Sequence, residues 1–298
     1  MRLLAQEVGV QEEVLLLYLR VMCSKEIFVE THVGVFAHTE KSRHLQTDTL
    51  GSMFDMAEIF RAEWQRRTLT PEALTYTLQT GQPAIEHIFG ESLWSYLTKH
   101  PAEYATFNRA MTSVSVAHNE AVAQACDLTG LHSLVDLGGG EGSFLSTLLS
   151  LHPEMKGTLF DIPPVIEKAQ PLMAGLADRC TCIAGNFLQS VPEGGDAYLI
   201  KQVMHNWNSG DGLRILRNCR QAIVPSGKLF IIEYILPEPP SKPSTYLTLS
   251  VMLRQIVPGG YQRTAQQLQH LLNEAGFEYV GITPTNTPHS VLEAKVRQ

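Results

Sequence analysis

Residues 134–142, Leu-Val-Asp-Leu-Gly-Gly-Gly-Glu-Gly, constrain this chain more than any other stretch. A short apolar run ends in an acid, and four of the six residues after Asp136 are glycine. That is the pattern of a buried parallel strand emptying into a turn where a ligand touches backbone. Glycine reaches positive φ and lacks the Cβ that would hold a ligand away. Ser143-Phe144-Leu145 then opens a helix, whose first amides carry a partial positive charge. The stretch reads as a nucleotide- or nucleoside-binding turn.

Downstream of it, strand and helix patterns alternate. Strands are expected at 134–137, 157–160, 180–183, 197–201, 228–233 and 291–295, and helices at 144–151, 164–174, 211–222 and 265–275. The alternation predicts an α/β fold with a parallel-dominated, doubly wound sheet and ligands at the C-terminal strand ends. Residues 241–252 interrupt it as an insertion, expected to act as a lid or pocket wall.

Upstream, residues 7–24 carry Val14, Leu15, Leu17, Tyr18, Val21 and Met22 at helical spacing, and 27–29 and 33–36 read as two short strands. Helix followed by β-ribbon is the tail of a winged-helix unit whose opening helices are missing. Its first apolar surface is therefore expected to be completed by a partner chain, giving a homodimer. A winged helix can bind DNA, but Gln11, Glu12 and Glu13 in the candidate recognition helix argue against it. Residues 47–126 are helical in pattern, with breaks at Pro71, at 80–83 and at 99–101. Phe107 and Met111, at i and i+4, share a face and are candidates for a flat apolar substrate pocket, with plain packing as the alternative. The chain is thus read as a mainly helical, winged-helix-like domain over 1–112 and a cofactor-binding domain over 113–298.

Charge and cysteine usage narrow the partners. A net charge of −7 without a long basic run disfavours nucleic acid and anionic membrane. No stretch approaches the roughly 20 apolar residues of a membrane span. Five cysteines without a CxxC pair point to reduced thiols in a soluble cytoplasmic protein. Cys180 and Cys182 share a strand face and are read as buried thiols, and no metal site is expected.

The spacing of the turn excludes two common ligands. A dinucleotide fingerprint begun at Gly138 puts its third glycine on Ser143, and no Gly-Lys-Ser/Thr is present for a P-loop. Phe160-Asp161-Ile162-Pro163 instead supplies an acid where a carboxylate can accept both hydroxyls of a ribose. Gly185-Asn186-Phe187 offers an amide and an aromatic where adenine would lie. With no cation in the loop for phosphate, a nucleoside fits better, and S-adenosylmethionine matches that description.

Seven motifs then occur in order: Asp136-Leu-Gly-Gly-Gly-Glu-Gly142, Phe160-Asp-Ile-Pro163, Gly185-Asn-Phe187, Lys201-Gln-Val-Met-His-Asn-Trp207, Leu216-Arg-Asn-Cys219, Glu233-Tyr-Ile-Leu-Pro237 and Gly259-Gly-Tyr-Gln-Arg-Thr264. Together with Thr80-Gly-Gln-Pro-Ala84 and His87-Ile-Phe-Gly90 upstream, they resemble the small-molecule O-methyltransferases related to plant caffeic acid and isoflavone methyltransferases, acetylserotonin methyltransferase and bacterial antibiotic-tailoring enzymes. The resemblance implies a Rossmann-like class I methyltransferase fold with an N-terminal dimerisation domain. It implies that Asp136, Gly138 and Gly140 hold the methionine moiety, Asp161 and Ile162 the ribose side, Asn186 and Phe187 the adenine, and that Lys201 lies near the cofactor. It makes His205 the general base, oriented by Glu233, and leaves Met204, Trp207, Met252 and Gln262 beside Phe107 and Met111 as candidates for the substrate pocket.

Residue chemistry agrees with these roles. A free imidazole titrates at about 6.5 and can accept a proton at neutral pH, and a phenol, at about 10, becomes a good nucleophile only as its proton leaves. A sulfonium is already an activated methyl donor, so alignment and one base suffice. Two positions depart from the family pattern. Asn186 stands where the family usually has aspartate, and Gln262 where it commonly has a second glutamate near the base. Glutamine cannot stabilise an imidazolium by charge, which leaves C- or N-methylation, or cofactor binding by a DNA-associated protein without catalysis, as the competing readings.

Overall fold

A computed structural model describes residues 1–47, 49, 51–238 and 245–298. Its N-terminal layer opens with α1 (Arg2–Val8) and α2 (Glu12–Ser24), followed by the antiparallel hairpin β1 (Phe28–His32) and β2 (Val35–His38). The single helix expected from residue 7 is therefore two, because Gly9 caps α1 and residues 9–11 break the periodicity. Short helices α3 (Glu40–Arg43), α4 (Phe54–Ile59), α5 (Glu63–Thr68), α6 (Pro71–Thr80), α7 (Ala84–Phe89) and α8 (Leu93–Lys99) lead to the long α9 (Pro101–Gln124). Proline sets three of these boundaries: Pro71 and Pro101 occupy first helical positions, where a missing N–H is harmless, and Pro83 caps α7. Breaks at 60–62 and 90–92 carry no proline and leave no mark in the periodicity. Trp64, Ile85, Leu93, Tyr96, Leu97 and Ala110 form the core of this layer.

Beyond α9 the chain runs β3 (Ser133–Leu137), α10 (Ser143–Leu151), β4 (Lys156–Asp161), α11 (Pro163–Leu172), β5 (Cys180–Ala184), β6 (Ala197–Lys201), α12 (Ser209–Ala222), β7 (Lys228–Glu233), α13 (Thr245–Ile256), α14 (Ala265–Ala275), β8 (Phe277–Pro284) and β9 (Ser290–Val296). These strands form one sheet in the order β5-β4-β3-β6-β7-β9-β8. The first five are parallel, and β9 pairs antiparallel with both β7 and β8. Strand β8 escapes the periodicity because it is an edge strand with only Phe277 fully buried, so it lacks the apolar run of the inner strands. Helix α13 fills most of the expected insertion; residues 241–244 lie outside the described residues.

Helices cover both sheet faces over two apolar cores. Leu199, Ile200, Phe230, Ile231 and Ile232 of β6 and β7 are fully buried, each worth about 1.5–3 kcal/mol of transfer free energy. On β5, Cys180 is buried and Cys182 half-buried, and all five cysteines are free. The two layers meet along α9 and α13. Residue 112 falls in the middle of α9, and Gln255 Nε2 on α13 donates to the Thr68 carbonyl at 2.7 Å. Ser115 of α9 meets Lys201 at the end of β6, and Tyr246 of α13 stacks on Tyr234 just past β7, so both helices lie over C-terminal strand ends.

Candidate active site

The glycine turn joins β3 to α10, with Gly138, Gly140 and Gly142 at positive φ. A Cβ on Gly138 would come within 2.8 Å of Val203 Cγ2, so this glycine permits close packing. At Gly140 (φ 61°) a Cβ would meet nothing within 4 Å, and the backbone there faces open space. Gly140 N–H donates to Asp161 Oδ2 at 3.0 Å and Ile162 N–H to Asp161 Oδ1 at 2.7 Å. Two backbone donors thus fix the carboxylate at the end of β4, and each oxygen keeps a lone pair for a ligand. Ile162 beside it is 44 % exposed, an apolar side chain left open at the same strand end.

Below the turn, Asp136 is 1 % exposed and, among the described residues, neither of its carboxylate oxygens has a hydrogen-bond partner. Burial pushes its carboxyl up to about 7, against the pull of Lys201. The same burial pushes the Lys201 ammonium down to about 8, opposed by Asp136 and Glu233. Lys201 Nζ donates to Ser115 Oγ and lies 5.2 Å from the Phe144 ring centre. Ser115 in turn donates to Asn119 Oδ1 at 3.1 Å. A buried, unpaired carboxylate under an open glycine turn fits a ligand that brings a cation, as the ammonium of S-adenosylmethionine would.

The end of β6 carries the second constellation. Gln202 has φ 57°, a strained value for a residue with a Cβ, and a single turn Met204–Asn206 follows. His205 Nδ1 lies 2.7 Å from Glu233 Oε2 at the end of β7, with His205 and Glu233 side chains 12 % and 4 % exposed. Gln202 Nε2 donates to the same Glu233 oxygen at 3.1 Å. A carboxylate accepting at Nδ1 places the imidazole proton there, which leaves Nε2 able to take a proton from a ligand.

Asp136, Gly138, Gly140, Asp161, Ile162, Lys201, His205 and Glu233 are thus gathered at neighbouring strand ends. Asn186 and Phe187 follow β5; Asn186 Oδ1 accepts the Leu188 N–H at 2.9 Å, and Phe187 packs edge-on against Trp207 at 5.6 Å. Trp207 therefore stands with the expected adenine residues. Met204, expected on the substrate wall, is fully buried, and its Cε lies where a side chain on Gly212 of α12 would go, a core position. Phe107 packs against Trp64 and Trp94 at 6.5 and 5.8 Å, while Met111 is 40 % exposed. Met252 is half-buried on α13. Gln262 is buried, with its N–H on Ser250 Oγ at 3.1 Å.

Several residues here have no role in the sequence reading. Arg263 is 3 % exposed and donates through Nη1 to the Met204 carbonyl at 2.5 Å and through Nη2 to the Trp207 carbonyl at 2.6 Å, bracketing His205. Tyr261 N–H adds a bond to the His205 carbonyl at 2.9 Å. Arg263 sits inside a recognised motif, yet an arginine next to a helix start reads as surface charge. Ser115 and Asn119, one helical turn apart on α9, are the only sequence hint of the Lys201 contact. His289, ahead of β9, is 2 % exposed and packs against His118 and Tyr234 at 5.3 and 4.6 Å. Among the described residues no three His, Cys, Asp or Glu side chains cluster as a metal site.

The chain is similar to known proteins along most of its length. A family model described as an O-methyltransferase domain matches residues 72–278. The mitomycin biosynthesis 6-O-methyltransferase of Streptomyces lavendulae is 34 % identical over 277 residues, 92 % of this chain and 78 % of that protein. The phenazine O-methyltransferase PhzM of Lysobacter antibioticus is 34 % identical over 296 residues, 98 % of this chain and 85 % of its own length. Among solved structures, an O-methyltransferase from neocarzinostatin biosynthesis, NcsB1, in complex with S-adenosylmethionine and 2-hydroxy-5-methyl naphthoic acid, superposes with a TM-score of 0.80 at 26 % identity, covering 98 % of this chain and 87 % of that one. With this match over most of its length, and with the glycine turn, Asp161 and the His205–Glu233 pair all at the C-terminal ends of the parallel strands, the chain belongs to the S-adenosylmethionine-dependent O-methyltransferase family.

Proposed function

We propose that this enzyme methylates a phenolic hydroxyl of a small aromatic metabolite, with His205 as general base and Glu233 orienting it. The observation that carries the reading is the bond from His205 Nδ1 to Glu233, which leaves Nε2 as the proton acceptor. Bound S-adenosylmethionine supplies an activated methyl group on a sulfonium. Asp161 accepts the ribose hydroxyls; Ile162, Asn186 and Phe187, with Trp207 behind them, flank the adenine. Gly138, Gly140 and Asp136, with Lys201 beside them, hold the methionine end. His205 Nε2 would take the proton whose loss makes the phenol oxygen nucleophilic toward a sulfonium-borne methyl, and the Glu233 carboxylate would stabilise the imidazolium. Met111, Met252 and Gln262, with Phe107 behind, make the acceptor wall. Aromatic substrates of the relatives support this class of acceptor: mitomycin and phenazine methyltransferases and a naphthoic acid complex.

The N-terminal layer is read as a winged-helix-like dimerisation unit. Val14, Leu17, Tyr18 and Val21 of α2 are 64, 66, 60 and 52 % exposed, an apolar stripe that a second copy of the chain would cover. Free thiols, a net charge of −7 and the lack of a membrane-crossing helix among the described residues support a cytoplasmic enzyme that binds neither nucleic acid nor membrane. Screening phenolic, amine and carbon-acid acceptors with labelled S-adenosylmethionine in EDTA tests the reading. Label recovered in an aryl methyl ether is expected, and label found only on nitrogen or carbon would displace it.

A further inference from the structure

Gln262 is 1 % exposed, and among the described residues neither its Oε1 nor its Nε2 has a hydrogen-bond partner. The backbone on either side of it is held in place. Its own N–H is held by Ser250 Oγ on α13, the Tyr261 N–H by the His205 carbonyl, and the Arg263 carbonyl by the Leu236 N–H at 3.0 Å. The Arg263 guanidinium stacks on the Tyr261 ring at 4.6 Å, so the residue between them lies on the other side of the chain. A buried carboxamide with donors and acceptor all unpaired among the described residues is costly in a folded protein.

We propose that Gln262 is the specificity-determining residue for the acceptor. Its carboxamide pairs with a carbonyl-type oxygen, ketone or carboxylate, carried ortho to the reacting hydroxyl. This rests on the site being a phenol-methylating centre. Three arguments select that oxygen. The carboxamide offers two N–H donors against one acceptor, so its unmet demand is mainly for acceptors on the ligand. It is neutral, whereas a carboxylate at this position would sit one residue from the contact to His205 and repel an acidic acceptor. Finally, an ortho-carbonyl phenol holds its own hydroxyl proton in an internal hydrogen bond. A competing donor on that carbonyl releases the hydroxyl to His205 Nε2, which couples recognition of the substituent to deprotonation.

The test compares phenol, catechol, salicylate and ortho-hydroxyacetophenone with the wild type, Gln262→Glu and Gln262→Leu. Wild-type kcat/KM is expected to favour salicylate or ortho-hydroxyacetophenone over phenol and catechol by about tenfold or more. Both variants should bring that ratio to about one, with Gln262→Glu acting hardest on salicylate. A preference for salicylate alone assigns the oxygen to a carboxylate, and for the ketone alone to a carbonyl; either supports the proposal. A ratio that survives both substitutions, or a preference for catechol, overturns it. Calorimetric binding of the four probes to the S-adenosylhomocysteine complex repeats the comparison without turnover. Selective binding without methylation would therefore count against the proposed reaction and not against Gln262. Binding of S-adenosylmethionine to each variant checks that it is folded.

Discussion

His205 Nδ1 lies 2.7 Å from Glu233 Oε2, and the His205 N–H points at the other oxygen of the same carboxylate at 3.3 Å. One buried acid therefore fixes both the ring and the backbone of His205. Glu233→Gln keeps the shape and removes the charge, so kcat should fall by about 10²- to 10⁴-fold. Calorimetry should find S-adenosylmethionine affinity changed far less. An equal loss in binding would mean that Glu233 holds the cofactor instead.

Arg263 clamps the carbonyls on either side of His205 from a buried position, and burial pushes its guanidinium down from the ordinary value. Arg263→Met removes both guanidinium donors, leaving the Met204 carbonyl only the Trp207 N–H at 3.3 Å, and should cost about 3 kcal/mol in urea unfolding. It should also lower kcat by about tenfold or more as the turn loosens. Arg263→Lys can restore one of the two bonds and should lie between. Full kcat in the Met variant would refute the clamp.

His289 gives the fold a pH signature. Burial, with the nearby charges of Lys201, His118 and His205, pushes its imidazole down to about 3. The unfolded chain accepts a proton at this residue below about 6.5, which the folded chain refuses until far lower pH. Stability should therefore fall as pH drops through that window, by up to about 1.4 kcal/mol per pH unit. Urea midpoints across the acid range should show His289→Gln with the shallower slope. Parallel slopes would mean that His289 does not carry the effect.

The exposed stripe on α2 makes oligomeric state measurable. Leu17→Asp with Val21→Asp touches residues 66 and 52 % exposed, where a monomer should lose only about 0.5 kcal/mol per site. Light scattering after gel filtration should give a dimer mass for the wild type and a monomer mass for the variant. A monomeric wild type contradicts the proposed interface.

The sheet was legible because its inner strands are buried on both faces and read as continuous apolar runs. Strands β6 and β7 fall at their expected residues for that reason, and helix α14 does because Leu268, Leu271, Leu272 and Ala275 repeat at helical spacing. Edge strand β8 and the break at Gly9 were not legible, because half-exposed segments carry no continuous signal. Within the site, Asp136, Asp161 and His205 announce themselves by position at strand ends. Arg263 and the Ser115–Asn119 pair do not, since each acts through a contact about 60 to 90 residues away in sequence. Met204 reads as a pocket residue beside the base, yet the turn points it into the core.

The proposed reaction moves a methyl group to oxygen with His205 removing the proton. The most direct measurement follows carbon-13-labelled methyl from S-adenosylmethionine into a phenolic acceptor by NMR, comparing the wild type with His205→Ala. An aryl methoxy signal is expected from the wild type, with the initial rate of His205→Ala lower by about 10²-fold or more and cofactor binding retained. A methoxy signal that grows equally fast in both proteins would contradict the account.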